Sequence, residues 1–450
     1  MFSSFVRHVV YPLNLARIGS KEGVYLSELE KSQWYPHEKL EELQWRRLKQ
    51  LLEHAYENVP YYREKFKVEG ITPADIKDRD DFLRVPILTR QDLNENLEKL
   101  KAKNFSESQL FPDYSGGSTG EPVRFYKDKE KSEYGHAAAI RHDRWAGWDV
   151  GEKIGMLWGA PRDLPERNIK SWLFNFFLFR KLTLNAFNLN DDLMREYAKK
   201  LSEYNPRILI AYANAMHLFA KFIKEEGIMG INPVGIITSA ETLFPHQREL
   251  IEEVFDCKVF NRYGSREFGV MASECSNGGI HVCSEYVYAE FIQAGELAKA
   301  GKEGDILITD LTNYGMPFIR YAIGDVGVPS EEECSCGRGL PVIEKVVGRV
   351  SDTIVTKGGD LIPGIFFVDL IGRSRIGLKK YKIIQKTMDQ LIITAVKSSR
   401  FKVEDLNFIT TSIKEKMGDV DIEIEFVEDI TPTTSGKHRF TISEVNHRLG

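Results

Sequence analysis

Three glycines and three hydroxyl residues fill the six positions Ser115–Gly120, "SGGSTG". A turn of this kind aims backbone N–H groups at an anion. Ser115, Ser118 and Thr119 would add hydroxyl donors, and Gly116, Gly117 and Gly120 would let the backbone approach phosphate closely. A plain surface loop fits the same composition equally well. A phosphate loop of the nucleotide triphosphatase kind would continue with lysine, whereas Glu121 and Pro122 follow here, which disfavours that chemistry.

Four further stretches carry residue types that a nucleotide needs. "NRYGSREFG", 261–269, offers the ring of Tyr263, a sharp turn at Gly264 and the carboxylate of Glu267. An adenine stacks on such a ring, and such a carboxylate holds Mg²⁺ beside phosphates. "NYGMPFIRYAIGDVG", 313–327, presents Asp325 after a glycine, suited to accept hydrogen bonds from two ribose hydroxyls. "VGRVSDTIVTKGG", 347–359, carries Arg349 and Asp352, and "TPTTSGKHRF", 431–440, carries Lys437 after Gly436. Each has a bland reading: Tyr263 in the core, Asp325 capping a turn, Lys437 one of many solvated lysines. The order and spacing of the five together is the specific signal.

A second constellation is metal-like. Cys275 and His281 stand six apart in "ECSNGGIHVC", and Cys334 and Cys336 form a C-x-C. Three thiolates and one imidazole suffice for a closed tetrahedral structural Zn²⁺ site, with no open position for chemistry. Buried free thiols are the competing reading. Cys283 is the substitute ligand, and Cys257, in a strand-like run, reads as core. Five cysteines at these spacings do not form a disulfide framework, which fits a reducing cytoplasm.

The surrounding elements must position these residues. The 450 residues suggest two or three domains. Apolar and charged shares of 42% and 28% are ordinary for a globular protein, and a net charge of −5 argues against a nucleic-acid partner. No secretory signal or transmembrane span is evident. The most apolar run, "WLFNFFLF" at 172–179, is too short to cross a bilayer and reads as core or substrate-side packing, with membrane contact as the minority reading. Residues 24–69 read as helical, with Leu40, Leu43, Leu48, Leu51 and Leu52 near helical spacing and Val59-Pro60 as the stop. "ITPADIKDRDDFLRVPILTRQDL" alternates caps and short helices. From about 106 to 346, strand-like runs such as "KIGMLWGAP", "ILIAYAN", "VGIITSAE" and "CKVFNRYGS" alternate with helices, which predicts βαβ units and parallel pairs. The expected fold class is α/β: a large multi-subdomain body at 1–347, with helix-flanked sheets, and a small α+β lid at 348–450. In the lid, "KYKIIQ" and "QLIITAV" predict paired strands around Met388-Asp389, before a helix ending at Gly418 and the strand "DIEIEFVE".

The ordered motifs resemble the adenylate-forming superfamily, nearest the phenylacetate–CoA ligase-like branch that includes capsular polysaccharide biosynthesis proteins. The likeness covers nearly the whole chain, including "LLEHAYENVPYYREKF" and "RWAGWDVGEKIGMLWGAP". It implies ATP-dependent formation of an acyl-adenylate, then an acyl thioester with coenzyme A. Ser115–Gly120 is similar to the family's flexible phosphate loop, which steadies the leaving pyrophosphate while the main cation comes from the lid. Relatives often have lysine where Glu121 stands. Ser239, Ala240 and Glu241 resemble the adenine-lining segment, Tyr263 the adenine-stacking aromatic, Glu267 the Mg²⁺ carboxylate, Asp325 the ribose aspartate and Arg349 the ribose- or phosphate-contacting arginine. Asp352 lies near the usual hinge. Arg266 replaces a family Thr or Ser, either substituting a charge for that contact or turning away. Lys437 resembles the lysine that bridges the attacking carboxylate and the α-phosphate. Members of the branch carry similar Cys/His positions, and some bind zinc. The acyl pocket is expected between about 140 and 240, at Trp158–Pro161, Phe174–Phe179 and Ala211–Ala220; His142 and His217 fall there and read as structural. Two alternatives stay open: transfer of an acyl, amino or uronic acid to an amine or carrier in cell-envelope polysaccharide synthesis, and a nucleotide-binding protein that has lost catalysis. The acid is undetermined, and a homodimer is one assembly compatible with the chain.

Overall fold

The structure, a computed structural model, describes residues 2–115, 123–158, 180–186, 189–349, 354–358, 361–362, 366–367, 370–371, 377–398, 401–430 and 440–445. The predicted helical segment appears as Glu22–Ser32, His37–Asn58 and Pro60–Glu69. The long helix stops where predicted, because the residue before a proline is driven extended; Val59 has ψ 110°. Pro60 does not end helical structure, however. It opens the next helix, where its missing N–H costs nothing. Leu48, Leu51 and Leu52 then join the core of the body.

Strands Lys181–Asn185, Ile154–Trp158, Ile208–Tyr212, Gly235–Ser239 and Lys258–Ser265 lie side by side, all parallel. The middle strands are buried along their whole length, as parallel strands covered on both faces must be. One face packs Leu209, Ala211, Ile236 and Val259 with Leu201, Met216, Phe219 and Ile251 of helices Asp191–Tyr204, Ala213–Glu226 and Pro245–Phe255. The other packs Ile154, Ile208, Ile210, Ile237 and Phe260 against Trp148.

Strand–helix alternation stops at Ser265, short of the predicted limit. Gly269–Glu274, Ile280–Val282, Val342–Arg349, Tyr321–Pro329, Gly304–Asp310 and Val287–Gln293 extend the same sheet antiparallel, with Glu296–Leu297 at its edge. No helix lies among the described residues 266–349. The hairpin Phe111–Tyr114/Arg124–Lys127 stands apart as a two-stranded sheet. Toward the C terminus a four-stranded sheet orders Asp421–Phe426, Gln390–Lys397, Leu378–Thr387 and Thr441–Ser443. Its central pair is antiparallel around Met388-Asp389, and its outer pairs are parallel. Helix Val403–Met417, stopped at Gly418, buries Ile409 and Ile413 in that sheet's own core.

Candidate functional site

Four parallel strands end at the same edge of the sheet with Trp158, Tyr212, Ser239 and Tyr263–Ser265, the last leading into a turn at 266–268. Carboxyl ends of parallel strands are where open α/β sheets hold ligands. Gly264 is required there: a Cβ would stand 2.4 Å from the Gly269 carbonyl oxygen. The turn carries Glu267, buried to 8% exposure. Tyr263 Oη donates to Asp325 Oδ2 at 2.7 Å, joining the last parallel strand to the antiparallel half of the sheet. The backbone of Arg349 pairs with that of Asp325. The structure therefore brings Tyr263, Gly264, Asp325 and Arg349 together from three segments.

Ser239, Ala240 and Glu241 leave the neighbouring strand. Ser239 Oγ donates to the Arg262 carbonyl at 3.1 Å, and Ala240 takes the left-handed φ of 69°. Glu241 Oε2 accepts the N–H of Asn214 at 2.9 Å, a carboxylate on the N-terminus of helix Ala213–Glu226. Asn214 Oδ1 in turn accepts from Gln247 at 2.8 Å. That pinning partner, Asn214, was not foreseen; its only sequence signal is a polar residue in an otherwise apolar run. Trp158 and Tyr212 pack with ring centroids 4.3 Å apart, forming one wall beside this segment.

The glycine-rich stretch divides at Ser115. Gly116, Gly117, Ser118, Thr119 and Gly120 lie outside the described residues, as do 159–179, Asp352 and Lys437. Ser115 is buried; its N–H donates to the Val123 carbonyl, and its Oγ accepts the Val123 N–H, both at 2.8 Å. Its Oγ thus accepts from the hairpin backbone, and a hydroxyl that accepts can still donate. Arg266 turns toward this hairpin, with Nη1 3.7 Å from Asp113, which also pairs with Lys127 at 2.6 Å. Asn313, Tyr314 and Gly315 also serve the hairpin. Asn313 Nδ2 donates to the Tyr126 carbonyl, and Asp128 Oδ2 accepts the N–H groups of Tyr314 and Gly315. Phe440, three residues after Lys437, packs on Phe244 at 6.4 Å between centroids, three residues after Glu241.

Of the two histidines expected near the acyl pocket, His142 faces elsewhere. It is 1% exposed, packs on Trp145 and lies 3.5 Å from Cys283 Sγ; burial lowers its pKa well below the usual value. His217 packs edge-on to His246 at 5.6 Å, and burial lowers its pKa to about 4.

Cys275, His281, Cys334 and Cys336 converge, with all four ligand atoms within 4.8 Å of one another. Cys275 Sγ and Cys334 Sγ are 3.6 Å apart, and Cys336 Sγ and His281 Nε2 are 3.3 Å apart. A tetrahedral zinc with ordinary bond lengths sets these edges at about 3.8 and about 3.5 Å. The sulfur separation is far too long for a disulfide, and all five cysteines are free. His281 Nδ1 lies 3.1 Å from the Leu340 carbonyl, which fixes the tautomer with Nε2 as the ligand nitrogen. A Cβ at Gly279 would meet Cys334 Sγ at 2.7 Å, so the turn is shaped around the cluster. Cys283, the substitute ligand, is not in the quartet: it is fully buried against His142. Cys257 is half-buried against the apolar core. The quartet begins at the end of strand Gly269–Glu274 opposite the Glu267 turn, a strand length of about 20 Å away.

Residues 354–444 match the model of the CapK C-terminal domain. The chain is 25% identical over 429 residues to Protein CapK of Staphylococcus aureus, covering 90% of this chain and 89% of that one. It is 27% identical over 350 residues to the phenylacetate-coenzyme A ligase of Aromatoleum evansii, covering 75% and 76%. A crystal structure of 2-hydroxyisobutyryl-CoA ligase, in the postadenylation state with R3-HIB-AMP, superposes with a TM-score of 0.73 at 20% identity over 91% of each chain. The relatives are thus Protein CapK and phenylacetate-coenzyme A ligases, and the fold is that of adenylate-forming CoA ligases.

Proposed function

We propose that this chain activates a carboxylic acid with ATP and passes the acyl group to the thiol of coenzyme A. The observation that carries the reading is the Tyr263–Asp325 hydrogen bond at the carboxyl ends of the parallel strands, in a chain similar to phenylacetate-coenzyme A ligases over three quarters of its length. In the first step a carboxylate oxygen bonds to the α-phosphorus, the bond to the bridging oxygen breaks, and pyrophosphate leaves with the electron pair. Tyr263 stacks on the adenine beside Ser239, Ala240 and Glu241. Asp325 accepts the ribose hydroxyls, and Arg349 contacts ribose or phosphate. Glu267 would hold Mg²⁺, which neutralises phosphate charge. Ser115, Ser118, Thr119 and the glycines of the stretch 115–120 steady the pyrophosphate. Lys437 bridges the attacking carboxylate and the α-phosphate, where negative charge gathers in the transition state. In the second step the thiol sulfur attacks the acyl carbon and AMP leaves. We take 1–347 as the adenylation body and 348–450 as the lid that carries Lys437 in and out.

Cys275, His281, Cys334 and Cys336 would hold a structural Zn²⁺; the near-tetrahedral edges and the cramped Gly279 support that donor set. A second reading changes the acceptor to an amine or a carrier in cell-envelope polysaccharide synthesis. It is favoured by the extent of the match to Protein CapK, 90% of the chain against 75% for the ligase. Carboxylate-dependent ATP–pyrophosphate exchange with Mg²⁺, across aryl, fatty, amino and uronic acids, tests the first step. Exchange with one acid class is expected, and silence across the panel with ATP still bound would refute the ligase reading. Release of AMP dependent on an amine or carrier, rather than coenzyme A, would select the second acceptor.

A further inference from the structure

The first helical run of the chain, Phe2–Phe5, Val6–Val10 and Tyr11–Arg17, carries a second apolar stripe that faces away from the protein. Surface helices turn an apolar stripe to the core and polar residues to water. Here the side facing the protein is mixed: Val6 is buried and Val10, Tyr11 and Leu15 are partly buried, alongside the polar contacts of Ser3, Arg7 and Tyr11. Arg180 Nη1 donates to Ser3 Oγ at 3.0 Å, Arg7 Nη1 pairs with Asp149 at 3.0 Å, and Tyr11 Oη donates to Glu22 at 2.5 Å. Val6 is the buried apolar anchor, seated against Gly151, where a Cβ would stand 2.4 Å from the Ser3 carbonyl oxygen. The outward side carries Phe2, Phe5, Val9 and Leu13, at helical spacing and 51%, 53%, 39% and 65% exposed. Ile18, which follows the helix, is 51% exposed.

Charge identifies what covers this stripe. Residues 1–21 hold Arg7, Arg17 and Lys21 and no aspartate or glutamate, in a chain whose net charge is −5. Arg17 is exposed, with Asn14 Oδ1 as a neutral partner at 3.1 Å. Next to the helix a cleft of about 580 Å³ is lined by Arg7, His8, Trp34, Trp145 and Arg338, along with Glu30 and Asp149. The Arg338 guanidinium sits between the rings of Trp34 and Trp145, 4.8 and 4.3 Å from their centroids, and Trp34 is half exposed. Aromatic rings and cations bordering an apolar helical stripe are the signature of a helix lying in a lipid interface. Arg7 is paired with Asp149, and a second copy of the chain would bring the two remaining cations, the exposed Arg17 and Lys21, to the rim of the contact.

We propose that the outward face of residues 2–18 rests on an anionic lipid surface, with the helix parallel to the membrane plane and the adjoining cleft facing the headgroups. No helix among the described residues is long and apolar enough to span a membrane, so the contact is peripheral. The test is flotation of the full chain with vesicles of phosphatidylcholine alone and of phosphatidylcholine with phosphatidylglycerol, about 3:1, at low and moderate salt. The chain is expected to float with the anionic vesicles, less so as salt rises. The double variant Phe5→Ser/Leu13→Ser is expected to bind about tenfold more weakly or worse, and Arg17→Glu/Lys21→Glu to lose the preference for anionic lipid. These side chains are exposed, so the melting temperature should not move. A chain that stays with the soluble fraction, or a serine variant that floats as well as the parent, would overturn the proposal. So would a soluble dimer that the serine variant converts to a monomer, because a second copy would then be the occupant.

Discussion

Asp325→Asn isolates the contribution of one charge to nucleotide recognition. The carboxylate is 8% exposed and already accepts the Tyr263 hydroxyl at 2.7 Å. Asparagine keeps an oxygen that can accept that neutral donor, so the sheet junction should persist. What it loses is the charge that strengthens hydrogen bonds from the ribose 2′- and 3′-hydroxyls. Hydrogen bonds to charged groups contribute about 1.5–3 kcal/mol each, roughly twice their neutral counterparts. Halving two of them costs about 1.5–3 kcal/mol, a weakening of about 13- to 160-fold in the Kd for Mg²⁺-ATP. Calorimetric titration measures this without knowledge of the acid substrate. The sharper readout is discrimination: the parent should prefer ATP to 2′,3′-dideoxy-ATP strongly, and the variant's preference should be smaller than the parent's by about 13- to 160-fold. A folded Asp325→Asn protein that binds ATP within about threefold of the parent, or keeps the parent's preference for the ribose hydroxyls, would refute the assignment.

Other outcomes follow from the same geometry. Lys437→Ala should reduce ATP–pyrophosphate exchange by about a hundred- to a thousandfold, as expected for removing a preorganised charge at the transition state, while leaving the melting temperature unchanged; near-normal exchange would remove Lys437 from the site. Elemental analysis of protein purified without chelators should find one zinc per chain, and Gly279→Ala, whose Cβ would lie 2.7 Å from Cys334 Sγ, should lower both zinc occupancy and thermal stability; a metal-free parent would end that reading. His217, with its pKa lowered to about 4 by burial, favours the neutral ring in the folded state. Its contribution is therefore complete above the unfolded value near 6.5 and is lost as pH falls from there towards 4, up to about 3 kcal/mol. His217→Gln should flatten the stability–pH profile in that window, and an unchanged acid slope would exclude His217 as its source.

Much of this protein was readable from local pattern. Buried strands show as apolar runs, and a proline or glycine marks a break whatever lies around it, so the 258–265 strand and the stop at Gly418 were visible in advance. The cysteine–histidine quartet was legible because few other residue types compete for that chemistry. Direction and partnership were not legible. Nothing local distinguishes the parallel strands before Ser265 from the antiparallel ones after it, because that depends on how each connection returns to the sheet. Pro60 reads as a stop but begins a helix, since only the next segment's packing decides which side of a proline continues. Ser115 reads by composition as a phosphate-binding hydroxyl, and only the hairpin register shows that its Oγ also accepts the Val123 N–H. Cys283 reads as a substitute ligand, and packing instead sets it against His142. The chain alone determined which chemical groups were available and roughly where strands and helices would form, because those depend on neighbours a few residues away. Tertiary structure decided which groups meet: Tyr263 with Asp325, 62 residues apart, and Cys275 with Cys334, 59 apart. Those contacts are set by the strand order of one twelve-stranded sheet among the described residues rather than by any local preference.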